Sequence, residues 1–311
     1  ERHRIDRVAH EAAGTQHAVA VLPRRFDKER ERIERESREH QERLKELASA
    51  KVAYEEQLAK YNAQMLKASQ KGMEKLPAFI RDTDLNLHFR TFYFDRINPD
   101  DSVNEAWAIG GWLEYRSGWL WDTFAMGAVG YTSQPLYAPS DKDGTTLLAP
   151  GQEGITVLGQ AYGQLRYRDY ALLTGYRQMV DDGYVNSQDN RMLPNTFEGV
   201  TLKGKVGFVA YNVGYLWDIK PRNSDEFISM SQQAGGNGPS EGLVLTSLTL
   251  TPWKPLNVYL GNDYVPNVFN TVFGKAEYTH QVTEEWKLQL GLQCTDQRSV
   301  GNAQIGEFST W

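Results

Sequence analysis

The side chains that could do chemistry in this sequence are basic ones, and they recur on the polar side of alternating segments. They are Arg90, Arg116, Arg166, Arg168, Lys203, Lys205, Lys275 and Lys287. Cations that line a water-filled passage attract anions and set its selectivity. Sites of similar depth along one wall would let a small carboxylate move between them without being trapped. The alternative is that each cation is a solvated residue with an acidic neighbour.

Bond-making chemistry has no matching set of residues. The sequence holds no phosphate-binding loop and no His-x-x-x-His, and the acidic pairs Asp100–Asp101 and Asp181–Asp182 lack the spacing of a calcium loop. The single cysteine, Cys294, excludes a disulfide framework and a zinc–cysteine motif. We therefore expect no enzyme activity, no cofactor and no metal.

The overall charge and hydropathy narrow the class of protein. The net charge of -6 at pH 7 argues against nucleic acid as a partner. No stretch approaches the roughly 18 apolar residues that a membrane helix needs. A membrane β-strand needs an apolar residue only at every second position, so a barrel stays open as an architecture.

The chain changes composition near Leu76–Pro77. Residues 24–72 are dense in Arg, Lys and Glu, whereas residues 83–311 are rich in Gly, Tyr, Trp, Thr and Val. We therefore divide the chain into an unassigned segment 1–23, a charged helix 24–76 and a β-rich region 77–311.

The charged region carries a helical repeat with alternating spacings of three and four residues, which is typical of a coiled-coil seam. The seam runs through Phe26, Arg30, Ile33, Ser37, His40, Leu44, Leu47, Lys51, Tyr54, Leu58, Tyr61, Met65 and Ala68. One interpretation is a parallel coiled coil that joins copies of the chain, as in a trimer. The other is a solvated single helix supported by Glu–Arg pairs four residues apart.

The second region alternates between apolar and polar residues, as β-strands with two different faces do. In Trp286–Thr295 the even positions are apolar and the odd positions are polar over a length that suits one tilted membrane strand. The same alternation assigns Ile155, Val157 and Ile219 to apolar faces. We predict about twelve strands. They cover residues 84–96, 106–116, 119–131, 154–167, 170–180, 195–203, 207–219, 242–252, 256–264, 269–281, 285–297 and 305–311.

The charged face of these strands favours a barrel over a sandwich. Burying residues such as Arg90, Arg166 and Lys287 in a dry core would cost several kcal/mol each unless they were paired. A water-filled lumen removes that cost. Tight turns alternate with longer loops, as in up-and-down barrels whose turns face the periplasm. Aromatic residues near strand ends, Tyr131 among them, would form an interfacial girdle. The alternative is a soluble trimeric fibre or adhesin with a coiled-coil stalk and a β-rich head.

Several segments resemble the OprD family of outer-membrane porins. They are Asp84–Arg96, Glu105-Ala-Trp107, Arg116-Ser-Gly118, Asp143–Pro150, Arg191-Met-Leu-Pro-Asn-Thr-Phe-Glu-Gly199 and Lys220-Pro-Arg-Asn-Ser-Asp225. The resemblance runs from about residue 80 to 311, and its last two segments are the most specific. It implies an all-β, antiparallel transmembrane barrel of about eighteen strands with inward-folded loops. We therefore expect that about the last third of the barrel lies beyond these residues, and that the charged helix lies outside the resemblance.

The resemblance also implies a function and a constriction. It implies passive, selective diffusion of small polar solutes, such as amino acids or small carboxylates, through a lumen lined by Arg and Lys. It places the loop 181–194, with Asp181, Asp182, Asp189 and Arg191, where the family folds a loop into the pore. Acidic loop residues facing a basic wall would orient dipolar solutes. The expected surroundings are outer-membrane lipid, with the helix in the periplasm.

Overall fold

The computed structural model describes residues 27–311 of the chain. The described residues divide into two units, which separate between Lys75 and Leu76. All of the strands belong to the second unit.

The first unit contains one long helix, α1, which spans Asp27–Met73. It confirms the predicted helix, while the segment 1–23 and the seam residue Phe26 lie outside the described residues. Seam residues such as Leu47, Tyr54 and Tyr61 are exposed in the single chain. The coiled coil stays a prediction. Within the described residues, no helix combines the length and apolar character that a membrane crossing needs.

The second unit begins with a short helix, α2 (Ala78–Arg81), and continues as one antiparallel sheet of 13 strands. The first seven strands are β1 (Asp84–Ile97), β2 (Val103–Arg116), β3 (Phe124–Tyr137), β4 (Ile155–Tyr167), β5 (Ala171–Gln178), β6 (Thr196–Val206) and β7 (Val209–Lys220). Those that follow are β8 (Ile228–Ser229), β9 (Leu243–Trp253), β10 (Leu256–Val265), β11 (Phe269–Gln281), β12 (Lys287–Ser299) and β13 (Ser309–Thr310), with a short helix α3 (Met230–Gln233) after β8.

The sheet has the topology of an up-and-down barrel wall. Each long strand pairs with its neighbours in sequence, and β8 pairs with β7 beside the main order. Among the described residues β1 and β13 are the two ends of this order, so the sheet does not close on itself. The connections at the end where β1 starts are 117–123, 168–170, 207–208, 254–255 and 282–286. The longest loops, 138–154, 179–195 and 221–242, lie at the other end.

Two β-bulges reverse the faces that strict alternation predicts. In β4, Val129 of β3 is opposite Gln160 while Gly130 is opposite Leu158, so Gly159 is an extra residue. Ile155 is consequently buried at 0% exposure, although alternation assigned it and Val157 to the lipid side. One extra residue breaks the alternation, so that the residues before it and those after it cannot both lie on the faces that strict alternation assigns.

The second bulge lies in β7. Glu198 pairs with Asp218 while the next residue, Gly199, pairs with Leu216, which leaves Trp217 unpaired. The assignment of Ile219 to the outer face was therefore wrong, because Ile219 packs in an apolar cluster under the loops.

The start of β3 also differs from the prediction. We predicted a strand over 119–131, whereas β3 spans Phe124–Tyr137. Trp121 and Asp122 adopt left-handed backbone angles, with φ of 50° and 57°. Such angles are incompatible with an extended strand, so the turn occupies 117–123. The predicted last strand, 305–311, forms a ladder only at Ser309–Thr310.

Loops fold over one side of the sheet, which we call the inner face. In one cluster, Leu147, Leu148, Met192 and Leu193 of the loops pack on small and branched residues of β2–β4. Tyr131 belongs to this cluster and is 3% exposed, so its assignment to an interfacial girdle was wrong. On the opposite side, the outer face, large apolar side chains are exposed, among them Leu85, Leu87, Phe89, Leu113 and Leu165.

Candidate functional site

Cross-strand register brings the predicted cations to one side of the sheet. Directly opposite residues share a face. Arg166 is opposite Leu172, which is opposite Lys203, and Lys203 continues to Asn212 and then Ser247. Ser247 contacts a loop that folds over the inner face. Arg166 and Lys203 therefore lie on the inner face.

The neighbouring row on the outer face is aliphatic. Leu165, Leu173, Leu202 and Val213 are opposite one another across β4, β5, β6 and β7. Each of them is the chain neighbour of a residue in the cation-bearing row. A polar row and an apolar row thus alternate on the two sides of a single wall.

A second row carries two more of the predicted cations. Lys205 is opposite Ala210, which continues to Thr249, Tyr259 and finally Lys275. The hydroxyl of Tyr259 reaches the same loop as Ser247 does. This row therefore lies on the inner face too. Lys287, opposite Gln281 on the same face, lies at the start of β12, apart from this group.

A concavity of about 550 Å³ collects these side chains, and we call it the inner chamber. It brings the predicted cations Arg166, Arg168, Lys203 and Lys205 together with Asp181 and Asp182 of the predicted constriction loop. Trp119, Leu172 and Tyr211 supply apolar and aromatic surface to the same wall.

A smaller concavity of about 290 Å³ continues the chamber along β2, β4 and β5. Asp181, Lys203 and Asn212 line both spaces. Arg116 lies here, and most of the other lining residues carry amides or hydroxyls, for example Gln160 and Thr174. The inner face thus offers polar side chains along both spaces.

Some of the predicted cations have acidic partners. Arg90 pairs with Asp189 at 2.6 Å, Arg116 with Glu114 at 2.6 Å and Lys275 with Glu277 at 2.8 Å, and Arg166 pairs with Asp122. For these the alternative of a local acidic neighbour describes the observed geometry. In the part of the chain that the structure describes, no ion pair within 4.0 Å involves Arg168, Lys203, Lys205 or Lys287.

The loop 181–194 folds onto the inner face. Asp182 accepts hydrogen bonds at 2.6 Å from Asn212 of β7 and at 2.6 Å from Ser247 of β9. Its other oxygen accepts from the hydroxyl of Tyr259 in β10 at 2.5 Å. Three strands therefore hold one carboxylate. Asp181 is used within the loop, where it accepts from the backbone N–H and the hydroxyl of Ser187.

The far end of the loop reaches the first strand. Arg90 of β1 donates to both carboxylate oxygens of Asp189 and to the carbonyl of Arg191. The guanidinium of Arg191 lies 4.7 Å from the ring centroid of Phe94. Two acids of this loop, Asp182 and Asp189, thus hold the loop to the sheet.

The loop 221–242 contacts the loop 181–194 and holds it in place. Arg222 donates to the side-chain oxygens of Asn190 and Gln188. Burial, and then the positive charge of Arg191, lower the pKa of Arg222. On the opposite side, the hydroxyl of Tyr184 lies 2.8 Å from that of Thr295 in β12. The loop therefore crosses the inner face with contacts from β1 to β12.

A family model described as outer membrane porin, OprD family, matches residues 77–310. The chain belongs to the OprD family. Its porins are passive channels, not enzymes, and they sit in the bacterial outer membrane. No curated protein matches the chain. Membership favours the barrel over the soluble fibre for these residues.

Solved structures of this family share the fold. A BenF-like porin from Pseudomonas fluorescens Pf-5 has a TM-score of 0.67 at 22% identity, over 74% of this chain and 62% of that one. Acinetobacter baumannii OccAB2 has a TM-score of 0.67 at 20% identity, over 75% and 62%. Pseudomonas aeruginosa OpdK with vanillate has a TM-score of 0.64 at 20% identity, over 74% and 61%. The chain spans about three fifths of the length of these proteins.

Sequence reasoning missed the partners of the charged residues in this OprD-family chain. Glu114 and Glu277 stand two residues from Arg116 and Lys275 on the same strand, so spacing could have revealed them, because such residues share a face. Asp122 is distant in sequence from its partner and carries no such signal.

One segment of the sequence matches an enzyme motif by its residue types alone. Gly238-Pro-Ser-Glu-Gly242 has the letters of a nucleophile elbow, which lies on a turn between a strand and a following helix. Here the segment lies in the loop between α3 and β9 and precedes a strand. In the described residues, no group of His, Cys, Asp and Glu could hold a metal ion.

Proposed function

We propose that this protein is an outer-membrane channel through which small polar solutes, chiefly small carboxylates or amino acids, diffuse passively along a basic inner wall. The observation that supports this most is the inner chamber, which is lined by Arg168, Lys203 and Lys205, cations that form no ion pair within 4.0 Å with any residue that the structure describes. Channel selectivity follows from such charged linings.

The attraction between a carboxylate and these cations suits passage through the channel better than tight binding at one site. A carboxylate about 4 Å from a cation gains roughly 1 kcal/mol in bulk water and about 4 kcal/mol near a protein surface. Several cations at similar depth would offset part of the free-energy cost of removing water from the solute, without holding the solute at one point. Lys203 and Lys205 are both exposed, so a passing anion can reach them.

The chamber wall also suits an aromatic or aliphatic body on the solute. Trp119, Leu172 and Tyr211 stand beside the cations. The relatives include a BenF-like porin and an OpdK solved with vanillate, which is an aromatic carboxylate. For this chain we propose the class of small carboxylates, with amino acids as members that add an amine.

The loop 181–194 is the proposed constriction, with Asp181, Asp182, Asp189 and Arg191. It crosses the inner face while held at Asp182 and Asp189. We propose that its position, more than free charge on its acids, narrows the path.

The helix α1 is proposed to lie in the periplasm. The chain enters β1 at the end of the sheet that carries the tight connections, and in barrels of this type that end faces the periplasm. Its exposed seam, with Leu44, Leu47, Leu58 and Met65, supports the proposal that copies of the chain join there as a coiled coil of three chains. A cross-linking series on the intact protein, read as the number of chains joined, tests this.

Planar-bilayer recording tests the channel itself. The variant Arg168→Gln/Lys203→Gln/Lys205→Gln should lower the anion-to-cation permeability ratio by about twofold or more, because three cations leave the path. Lys254→Gln, in the connection 254–255 outside the chamber, removes a charge at the same end of the sheet and should leave the ratio unchanged. Absence of conductance would contradict the channel. Unchanged selectivity in the triple variant would contradict the basic path.

A further inference from the structure

Among the cations of the inner chamber, Arg166 is distinguished by a fixed acidic partner. Its Nη2 contacts Oδ1 of Asp122, and its Nε donates to the backbone carbonyl of Asp122 at 2.8 Å. Its guanidinium lies 4.0 Å from the ring centroid of Trp119. The same guanidinium is thus held along one edge and on one face. The chamber's other cations, which have no ion pair among the described residues, are Arg168, Lys203 and Lys205.

The backbone of the 117–123 turn sets the position of Asp122. Trp121 and Asp122 adopt φ angles of 50° and 57° in succession. Left-handed angles are uncommon for residues other than glycine, and a bulky Trp adopts them less readily than Asp. This conformation places both the carbonyl and the carboxylate of Asp122 against one guanidinium. The backbone conformation of the turn therefore determines the contact between Asp122 and Arg166.

We infer that Asp122 is a positioning residue that acts through Arg166 to limit the preference of the inner chamber for anions. The inference rests on the proposed function. The side chain of Asp122 is 85% exposed, against 31% for Arg166. At physiological salt the field of an exposed charge is screened beyond roughly 8 Å. Asp122 therefore acts mainly on the guanidinium that it touches.

The consequence concerns release of the solute. A conducting site must bind strongly enough to admit an ion and weakly enough to let it leave. A fourth unpaired cation beside Arg168, Lys203 and Lys205 would deepen the well for a carboxylate. Countering Arg166 keeps that well shallow while Trp119 and Asp122 keep the guanidinium against the wall.

Reversal potentials of the full chain in planar bilayers test this inference. Asp122→Asn keeps an oxygen that can accept from Arg166 and removes the charge, so it should raise the anion-to-cation permeability ratio by about twofold at physiological salt. Asp122→Gly, which suits the left-handed angle, should do the same if the Asn variant does not fold. Asp122→Glu should keep the wild-type ratio, and Asp101→Asn, in the 98–102 loop at the other end of the sheet, should have no effect.

The same variant in an Arg166→Gln background separates an effect of Asp122 through Arg166 from a direct effect of its charge on the permeating ion. In the Arg166→Gln protein, adding Asp122→Asn should not raise the anion-to-cation permeability ratio, because the group through which Asp122 acts is gone. An equal rise in both backgrounds would overturn the inference, as would an unchanged ratio in Asp122→Asn and Asp122→Gly channels that still conduct. A protein that conducts with anion preference but fails these tests would leave the proposed function standing. A protein without conductance would remove both.

Discussion

The hydroxyl of Tyr259 donates to Oδ1 of Asp182 at 2.5 Å, and this hydrogen bond ties the inward-folded loop to β10. The other carboxylate oxygen of Asp182 is held by Asn212 and Ser247. A hydrogen bond to a charged group contributes about 1.5–3 kcal/mol. This small network holds Asp182 of the loop 181–194 against the wall of the inner chamber.

Replacing Asp182 with Ala should loosen the loop 181–194. The change removes the acceptor of three hydrogen bonds and leaves Asn212, Ser247 and Tyr259 without this partner. We expect protease cleavage within the loop to accelerate by about tenfold, which corresponds to roughly 1.4 kcal/mol of local stability. Limited proteolysis of the folded protein in detergent measures this.

Asp181→Asn is the matched control for that change. Asp181 accepts from Ser187 within the loop, and an Asn oxygen can accept the same bonds. Its cleavage rate should stay close to that of the wild type. Equal rates for Asp182→Ala and wild type would show that the loop is held elsewhere.

The ion pair between Arg90 and Asp189 should show measurable coupling. Their side chains are 20% and 36% exposed, so solvent screens the pair in part. We expect a coupling free energy on the order of 1 kcal/mol in a double-mutant cycle of Arg90→Gln and Asp189→Asn. Urea unfolding in lipid vesicles supplies the four free energies. Strictly additive effects would mean that the contact between β1 and the loop adds no stability.

Gly111 should not tolerate a methyl group. Its φ is 132°, and an added Cβ would lie 1.8 Å from the carbonyl oxygen of His88. Gly111→Ala should therefore separate β1 from β2 and abolish the folded, heat-modifiable form on gels. Gly130→Ala is the control, because nothing lies within 4 Å of its added Cβ. Normal folding of Gly111→Ala would contradict the close approach of these strands.

Much of the sheet could be predicted because alternation is a local property. The bounds of β1, β4, β9, β10 and β11 fall within a residue or two of the prediction. Bulges interrupt this logic. Gly159 shifts Ile155 to the inner face, and no local pattern distinguishes an extra residue from an ordinary one.

The sequence predicted on which face of the sheet the cations lie, but it did not predict their ion-pair partners. Alternation placed Lys203 and Lys205 on the inner wall because it reports direction. It could not reveal that Arg90 holds Asp189, since that contact depends on how a long loop folds back across the sheet. For Arg166, which was predicted to line the lumen with an acidic partner left open, the partner comes from a turn with left-handed backbone angles.

Thiol labelling of two adjacent residues tests the central claim most directly, which is that one side of this wall faces water and the other faces lipid. In a Cys294→Ser background, Lys203→Cys and Leu202→Cys place a thiol on the inner and outer rows of β6. A small, membrane-impermeant maleimide applied to both sides of lipid vesicles should label position 203 and leave position 202 unreacted. Labelling of 202 with protection of 203 would contradict the account.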